Sequence, residues 1–176
     1  MINWHRRNRF CGVCGSATVV SEAGHLRTCP SCGAHHHPRT DPVAIVLVSD
    51  GDRALLGRQA RWPAGRYSAL AGFVEPGESI EQAVAREVRE ESGIEVAQVR
   101  YHSSQPWPFP SSLMLGFHAA YAGGDPEPLD NELEHVRWFD RTEVEEIVAG
   151  RRPEHLPPPV AIARRLIDEW LAKDDR

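Results

Sequence analysis

No apolar run in this chain approaches the length needed to cross a bilayer, which argues against a membrane-spanning helix. The start, MINWHRRNRF, has no apolar core of the kind a signal peptide needs, so a cytoplasmic location without a membrane partner is expected. There is no internal repeat and no low-complexity tail, which sets aside solenoids and disordered arms. Positive charge is not in excess either. With a formal net charge of −5, the surface as a whole does not advertise a polyanion partner. What is present is ordinary for a globular protein: 41% apolar and 26% charged residues over 176 positions, enough for one good-sized domain plus a small appendage.

Cysteine is scarce, four in all, but its spacing carries information. Within CGVCGSATVVSEAGHLRTCPSCG lie two Cys-x-x-Cys pairs, Cys11/Cys14 and Cys29/Cys32, each followed by a glycine that frees backbone amides to approach thiolates. Two disulfides would need an oxidising compartment, and a redox reading would need both pairs to be active. Zinc on Cys11, Cys14, Cys29 and Cys32 is expected instead. A four-cysteine site has no open position, so its role is structural. His35, His36 and His37 follow at once, as a wet loop or as metal or substrate contacts, with His37 the candidate. From His37 to Pro42 the sequence HPRTDP interrupts regular structure and links the appendage to the main domain.

The stretch GFVEPGESIEQAVAREVREESGI, Gly72 to Ile94, contains a helix with a contradiction. Ser79 with Gln82 is a capping-box start, Glu81 suits the positive end of the dipole, and Gly93 is a stop. With Ile80 at zero and about 100° per residue, Val84 falls at about 40°, Val88 at about 80° and Ala83 at about 300°. On the same count Glu91 falls at about 20°, Glu87 at about 340° and Glu90 at about 280°, inside the apolar stripe. Two like charges roughly 6 Å apart cost about 3 kcal/mol at an effective dielectric of about 20. A solvated acidic face would stand on the polar side. Acids on the apolar side point to a bound divalent cation, and oxygen-only ligands favour Mg²⁺ or Mn²⁺.

Around this helix the chain alternates strands and helices. Val43 to Val48 reads as a buried strand, and Asp50-Gly51 turns it into a hairpin with Arg53 to Arg58. Arg58, Arg61 and Arg66 face either phosphate or solvent. Ser68 to Ala71 leads as a strand into Gly72, and small residues at Ala71 and Gly72 suit a backbone carbonyl brought close to a metal. Val96 to Ser103 alternates like a half-buried strand. In SQPWPFPSS, Ser104 to Ser112, three prolines alternate with aromatics, which predicts a stiff extended loop presenting Trp107 and Phe109 rather than a strand. Ser112 to Tyr121 and Glu134 to Phe139 read as strands, and Asp140 with Glu143 caps a helix through Ala149. Ile162, Ala163, Leu166, Ile167, Trp170 and Leu171 form the stripe of a last helix.

Gly72, Glu78, Arg86-Glu87-Val88, Glu90-Glu91 and Gly93-Ile94 match every fixed position of the signature of Nudix hydrolases. The run Ser104 to Ser112 is similar to the array that separates the zinc-ribbon NAD(H) pyrophosphatases from other Nudix enzymes, and the cysteine pairs ahead of the box agree. The chain thus resembles that family from Phe10 onward. The resemblance implies a zinc ribbon over residues 1–39 and a Nudix domain over 40–176, an α/β/α sandwich with a mixed sheet. It implies metal-assisted hydrolysis of NAD(H) to nicotinamide mononucleotide and AMP, in a homodimer. It places Mg²⁺ or Mn²⁺ on Glu87, Glu90, Glu91, the carbonyl of Ala71 and Glu132, with Glu134 the fallback. It makes Glu91 or a neighbour the acceptor of the water's proton, and Arg86 the residue that holds the box loop. Phe73, Gln105, Pro106, Trp107, Pro108, Phe109, Pro110, Ser111, Ser112 and the backbone at Ala163 would line the dinucleotide pocket.

Departures from the pattern matter. Family members commonly carry a further N-terminal domain, whereas ten residues precede Cys11 here, so the chain reads as a form without that domain, either naturally short or trimmed. His37 stands where the family usually has tyrosine, and a binding role for that tyrosine would pass to His37 in altered form. The same chemistry would remove NAD caps from RNA, although net charge −5 predicts weak non-specific RNA affinity. A broader hydrolase of ADP-ribose and similar diphosphates is the competing enzyme. A binding module, with the ribbon as reader and the main domain as ligand sensor, is the competing class. Intact box acids count against it.

Overall fold

The structure is a computed structural model that describes residues 1–129 and 131–173, so the last residues of the expected 40–176 domain lie outside it. It divides into two compact units. The first joins Met1–Asp41 with Pro108–Ser112, and the second joins Pro42–Trp107 with the chain from Leu113 on.

The first unit holds a short helix α1 (Ile2–Arg7) and an antiparallel sheet of β1 (Val19–Ser21), β2 (Leu26–Thr28) and β3 (His35–His36), in that order. His35 and His36, read from sequence as a loop, are therefore the third strand. They pair with Thr28 and Arg27, which leaves their side chains on alternate faces. The two cysteine pairs fold alike. Gly15 N–H donates to the Cys11 carbonyl and Gly33 N–H to the Cys29 carbonyl, both at 2.9 Å. Gly15 and Gly33 have φ of 77° and 76°, a left-handed geometry that side chains resist. Pro108–Ser112 is tied to the end of this unit. Asp41 N–H donates to the Ser111 carbonyl at 2.8 Å, and the Ser111 hydroxyl donates to Asp41 Oδ2 at 2.7 Å.

The second unit is built on a sheet of β4 (Asp41–Asp50), β5 (Arg53–Arg58), β6 (Leu70–Phe73), β7 (Glu95–Trp107), β8 (Ser112–Gly123) and β9 (His135–Asp140). The order is β7-β8-β4-β5-β9, with β6 also on β4. β4 forks: Val43 to Val46 pair antiparallel with β6, and Val48 to Asp50 with β5. Its long apolar run has a simple cause, since both faces are covered. Ala44, Val46 and Val48 pack with Ala83, Val84 and Val88 of α2 (Ile80–Ser92). Ile45 and Leu47 pack on the other face with Val144 and Ile147 of α3 (Arg141–Val148) and with Leu166 and Ile167 of α4 (Ile162–Ala172). This is the mixed α/β/α sandwich.

One strand expectation is corrected. β7 does not stop near Ser103 but runs through Gln105, Pro106 and Trp107. Pro106 is tolerated because β7 is the last strand of the sheet, where a missing N–H leaves no ladder bond unmade. The turn proper is only Pro108–Ser111.

Candidate active site

α2 begins as its sequence dictates. Ser79 Oγ accepts from Gln82 N–H at 3.2 Å, and Gln82 Oε1 accepts from Ser79 N–H at 2.8 Å. Gly93 closes it with φ of 71°. Ala83, Val84 and Val88 seal one side against the sheet, and the same stripe carries Glu91 inward to 1% exposure. Glu87, one turn earlier, keeps 14% of its side chain exposed, while Glu90 lies at the rim with 56%.

Arg86 organises this acidic face. Its guanidinium donates to both oxygens of Glu78, at 2.6 and 2.9 Å, and to the Phe73 carbonyl at 2.8 Å. It also reaches Glu87 Oε1 at 2.8 Å and Glu90 Oε2 at 3.1 Å. The loop between β6 and α2 is thus clamped to the helix by one side chain. The Arg86 hydrogen bonds, foremost, hold the Glu78 carboxyl down to about 2. Glu87 moves the other way. Burial, first of all, raises it above the usual carboxylate range, Arg86 opposes this, and the charges of Glu90 and Glu132 add to the rise. Glu132 is therefore electrostatically part of the same cluster. Glu134 is engaged elsewhere, in an ion pair with Arg58.

Gly72 marks where β6 and α2 come closest. A Cβ built there would fall on the carboxyl group of Glu87. Next to it Ala71 lines a cleft of about 240 Å³ together with Glu91, Gln105, Trp107 and Ala163. Trp62, Arg66, Met114 and Leu133 complete much of its wall. Gln105 is a frame rather than an open donor: its amide donates to the Val160 carbonyl and accepts from Ile162 N–H, both at 2.8 Å, which joins β7 to the start of α4. Glu132 lines a second cavity of about 330 Å³ with Gln59, Arg61 and Asn131, and Gln59 borders both.

Phe73 and Pro106, also in the second unit, do not line this cleft. Phe73 is 58% exposed and contributes its carbonyl to Arg86. Pro106 is exposed on β7. Pro108, Phe109, Pro110, Ser111, Ser112 and His37 belong to the first unit. Of the three arginines weighed for phosphate, Arg66 alone lines the cleft; its guanidinium lies 5.4 Å from the Trp62 ring, and its Nε is buried without a hydrogen-bond partner. Arg58 is committed to Glu134, and Arg61 to Gln59 at 2.8 Å. Trp62 carries no signal in sequence, because no local pattern distinguishes a loop tryptophan that packs from one that lines a cleft.

In the first unit, the four cysteine sulfurs lie within 4.8 Å of one another, with Cys11 to Cys32 at 3.7 Å and Cys14 to Cys29 at 3.5 Å. A tetrahedral zinc with Zn–S of about 2.3 Å needs sulfurs about 3.8 Å apart, so the donor set fits zinc. His36, not His37, reaches it: His36 Nε2 lies 3.3 Å from Cys11 Sγ, the place of a partner to a ligand rather than a fifth ligand. His37 is exposed, with its ring edge-on to His35 at 6.5 Å.

The box acids fit a hard cation by a different test. Glu78, Glu87 and Glu90 share one guanidinium, the charge of Glu132 acts on Glu87, Glu91 lies buried on the same helix, and every donor is oxygen. Among the described residues their oxygens do not converge within 4.8 Å as the thiolates do, because repulsion spreads them and Arg86 draws Glu87 and Glu90 to one side.

A sandwich with an acid-bearing helix beneath an aromatic cleft is the architecture of one class. Residues 38–158 match the NUDIX domain, and residues 6–36 match the NADH pyrophosphatase zinc ribbon domain. The chain belongs to the NUDIX family. Among curated proteins it is 49% identical over 170 residues to the NAD-capped RNA hydrolase NudC of Pseudomonas aeruginosa (strain LESB58), covering 97% of this chain and 58% of that protein. It is 45% identical over 183 residues to the NAD-capped RNA hydrolase NUDT12 of Homo sapiens, covering 97% of this chain and 40% of the relative. The chain thus spans little more than half the length of the first relative and less than half of the second. Among solved structures, a NUDIX hydrolase from Nitrosomonas europaea superposes with a TM-score of 0.67 at 25% identity, over 84% of this chain and 97% of that one.

Proposed function

We propose that this chain hydrolyses the diphosphate of an NAD(H)-type dinucleotide to nicotinamide mononucleotide and AMP, and makes the same cut when that dinucleotide caps an RNA 5′ end. The observation that carries the reading is Glu91: a glutamate at 1% exposure in the wall of a cleft that also presents tryptophan, proline and arginine. Burying a carboxylate costs several kcal/mol unless hydrogen bonds, a cation or protonation offset it, and a cation held by the box acids would contribute to that offset. The names of the two curated relatives support the substrate class.

We assign Glu87, Glu90, Glu91, Glu132 and the Ala71 carbonyl to Mg²⁺ or Mn²⁺. When bound, such a cation neutralises the diphosphate and makes water a better nucleophile. The chain's own residues do the rest. Glu91 accepts the proton of the attacking water as its oxygen bonds to phosphorus. The phosphoanhydride P–O bond breaks, and its electron pair leaves with the other phosphate. Arg66, which lines the same cleft, would meet that charge, and Trp62 and Trp107 would offer ring faces to the bases. Phe73, Pro106, Pro108, Phe109, Pro110, Ser111, Ser112, Ala163 and His37 keep the binding roles that the family resemblance implies. Gln105 positions the start of α4. We further assign residues 1–39 and 40–176 to separate domains, structural zinc to the first, and a homodimer in solution.

Product analysis against NADH, NAD⁺, ADP-ribose and an NAD-capped RNA tests this directly. Cleavage of the three NAD compounds in preference to ADP-ribose is expected. Equal rates on all four would replace the reading with a broader hydrolase, and metal-dependent binding without turnover would replace it with a sensor.

A further inference from the structure

Away from the box, three elements bring two histidines and a glutamate together: His102 on β7, His118 on β8 and Glu169 on α4. One ligand atom from each lies within 4.8 Å of the others. His102 Nε2 is 2.5 Å from Glu169 Oε2, and His118 Nε2 is 3.8 Å from Glu169 Oε1. We propose that His102, His118 and Glu169 form a second transition-metal site, for zinc or a similar imidazole-seeking divalent ion, distinct from both the thiolate site and the box acids.

The donor set is right for such an ion. Two imidazole nitrogens and one carboxylate suit zinc, cobalt or nickel rather than magnesium. At about 2.1 Å per bond a tetrahedral zinc needs its donors about 3.4 Å apart, a value that the two measured separations bracket. Each histidine is prepared differently. His102 Nδ1 is paired with Ser103 Oγ at 2.5 Å, the outer hydrogen bond that orients a ligating imidazole and leaves Nε2 to face inward. His118 Nε2 is shut off from solvent and makes no hydrogen bond, an unsatisfied state that a metal bond would relieve. The two rings are edge to face at 5.5 Å, held by neighbouring strands.

The surroundings leave room for a fourth ligand. The site opens on a cavity of about 380 Å³ bordered by Arg100, Tyr101, Arg141 and Lys173. Lys173 competes for Glu169, at 2.9 Å, but its side chain is 59% exposed and can swing away. Arg141 is occupied by the Trp170 and Leu171 carbonyls and by Asp52. An ion here would brace α4 against the sheet, and the first turn of α4 forms part of the cleft wall.

The test is zinc titration of the tag-free protein, its ribbon zinc intact, in excess Mg²⁺ to occupy the box acids. Calorimetry should show one further Zn²⁺ per chain. Cadmium NMR should show a resonance for nitrogen and oxygen ligands beside that of the thiolates. His118→Ala and His102→Gln should each weaken this binding at least tenfold, with thermal melting used to confirm folding, while Glu87→Gln should leave it unchanged. No further ion in the wild-type protein would overturn the proposal, as would undiminished binding in both folded histidine variants.

Discussion

Gly72 has no room for a side chain because the carboxyl group of Glu87 occupies that space. The carboxylate is backed by the strand on one side and by Arg86 on the other. Gly72→Ala must therefore push Glu87 outward or part β6 from α2. Metal affinity should fall by about 10- to 100-fold, the usual cost of disturbing what orients a ligand. Manganese titration followed by electron paramagnetic resonance checks this, and unchanged affinity would mean that Glu87 is not a ligand.

Arg86 is the cation that makes the acidic face tolerable before metal arrives. Arg86→Lys keeps the charge but loses the planar fork that serves Glu78, Glu87 and the Phe73 carbonyl together. With 22% of the side chain exposed, the expected loss is discounted to about 1–3 kcal/mol. Saturating Mg²⁺ should recover part of it. Urea unfolding with and without Mg²⁺ measures both quantities.

His118 sets a pH dependence in the absence of added transition metal. Burial first, then the Lys173 charge, lowers its imidazole to about 4 from the ordinary 6.5, with Glu169 opposing. The unfolded chain therefore takes up a proton that the folded chain refuses. Stability from this group is intact above pH about 6.5, declines as pH falls toward about 4, and levels off below that. Comparing urea midpoints at neutral and mildly acid pH for the wild type and His118→Gln isolates the effect: the acid loss should be smaller in the variant.

Gln105 ties β7 to α4 through both ends of its amide. Gln105→Ala should cost about 1–2 kcal/mol by orphaning the Ile162 N–H. Because it loosens the cleft wall rather than the acids, it should raise KM more than it lowers kcat. Steady-state kinetics on NADH tests that split.

What was legible in the sequence was local. The capping box at Ser79, the stop at Gly93 and the inward turn of Glu91 all follow from spacing along one helix. So does the convergence of Cys11, Cys14, Cys29 and Cys32. What was not legible depends on neighbours distant in the chain. Pro106 sits in a strand because β7 is an edge, a property of the whole sheet. Trp62 and Arg66 line one cleft with Glu91 although about 25 to 30 positions separate them in the chain, a proximity that no local pattern encodes. His102, His118 and Glu169 share no motif; only strand order and the packing of α4 unite them. His36 rather than His37 touches a thiolate because β3 pairs His36 with Arg27 and ends there, so His37 lies beyond the strand.

Glu91, at 1% exposure, is proposed to be buried for chemistry. Glu91→Gln keeps its shape and removes its charge, so Mg²⁺- or Mn²⁺-dependent hydrolysis of NADH by this variant is the decisive measurement. Turnover should fall by about a thousandfold while the protein melts no earlier than the wild type. Turnover within a few-fold of wild type, in a folded variant, would contradict the account.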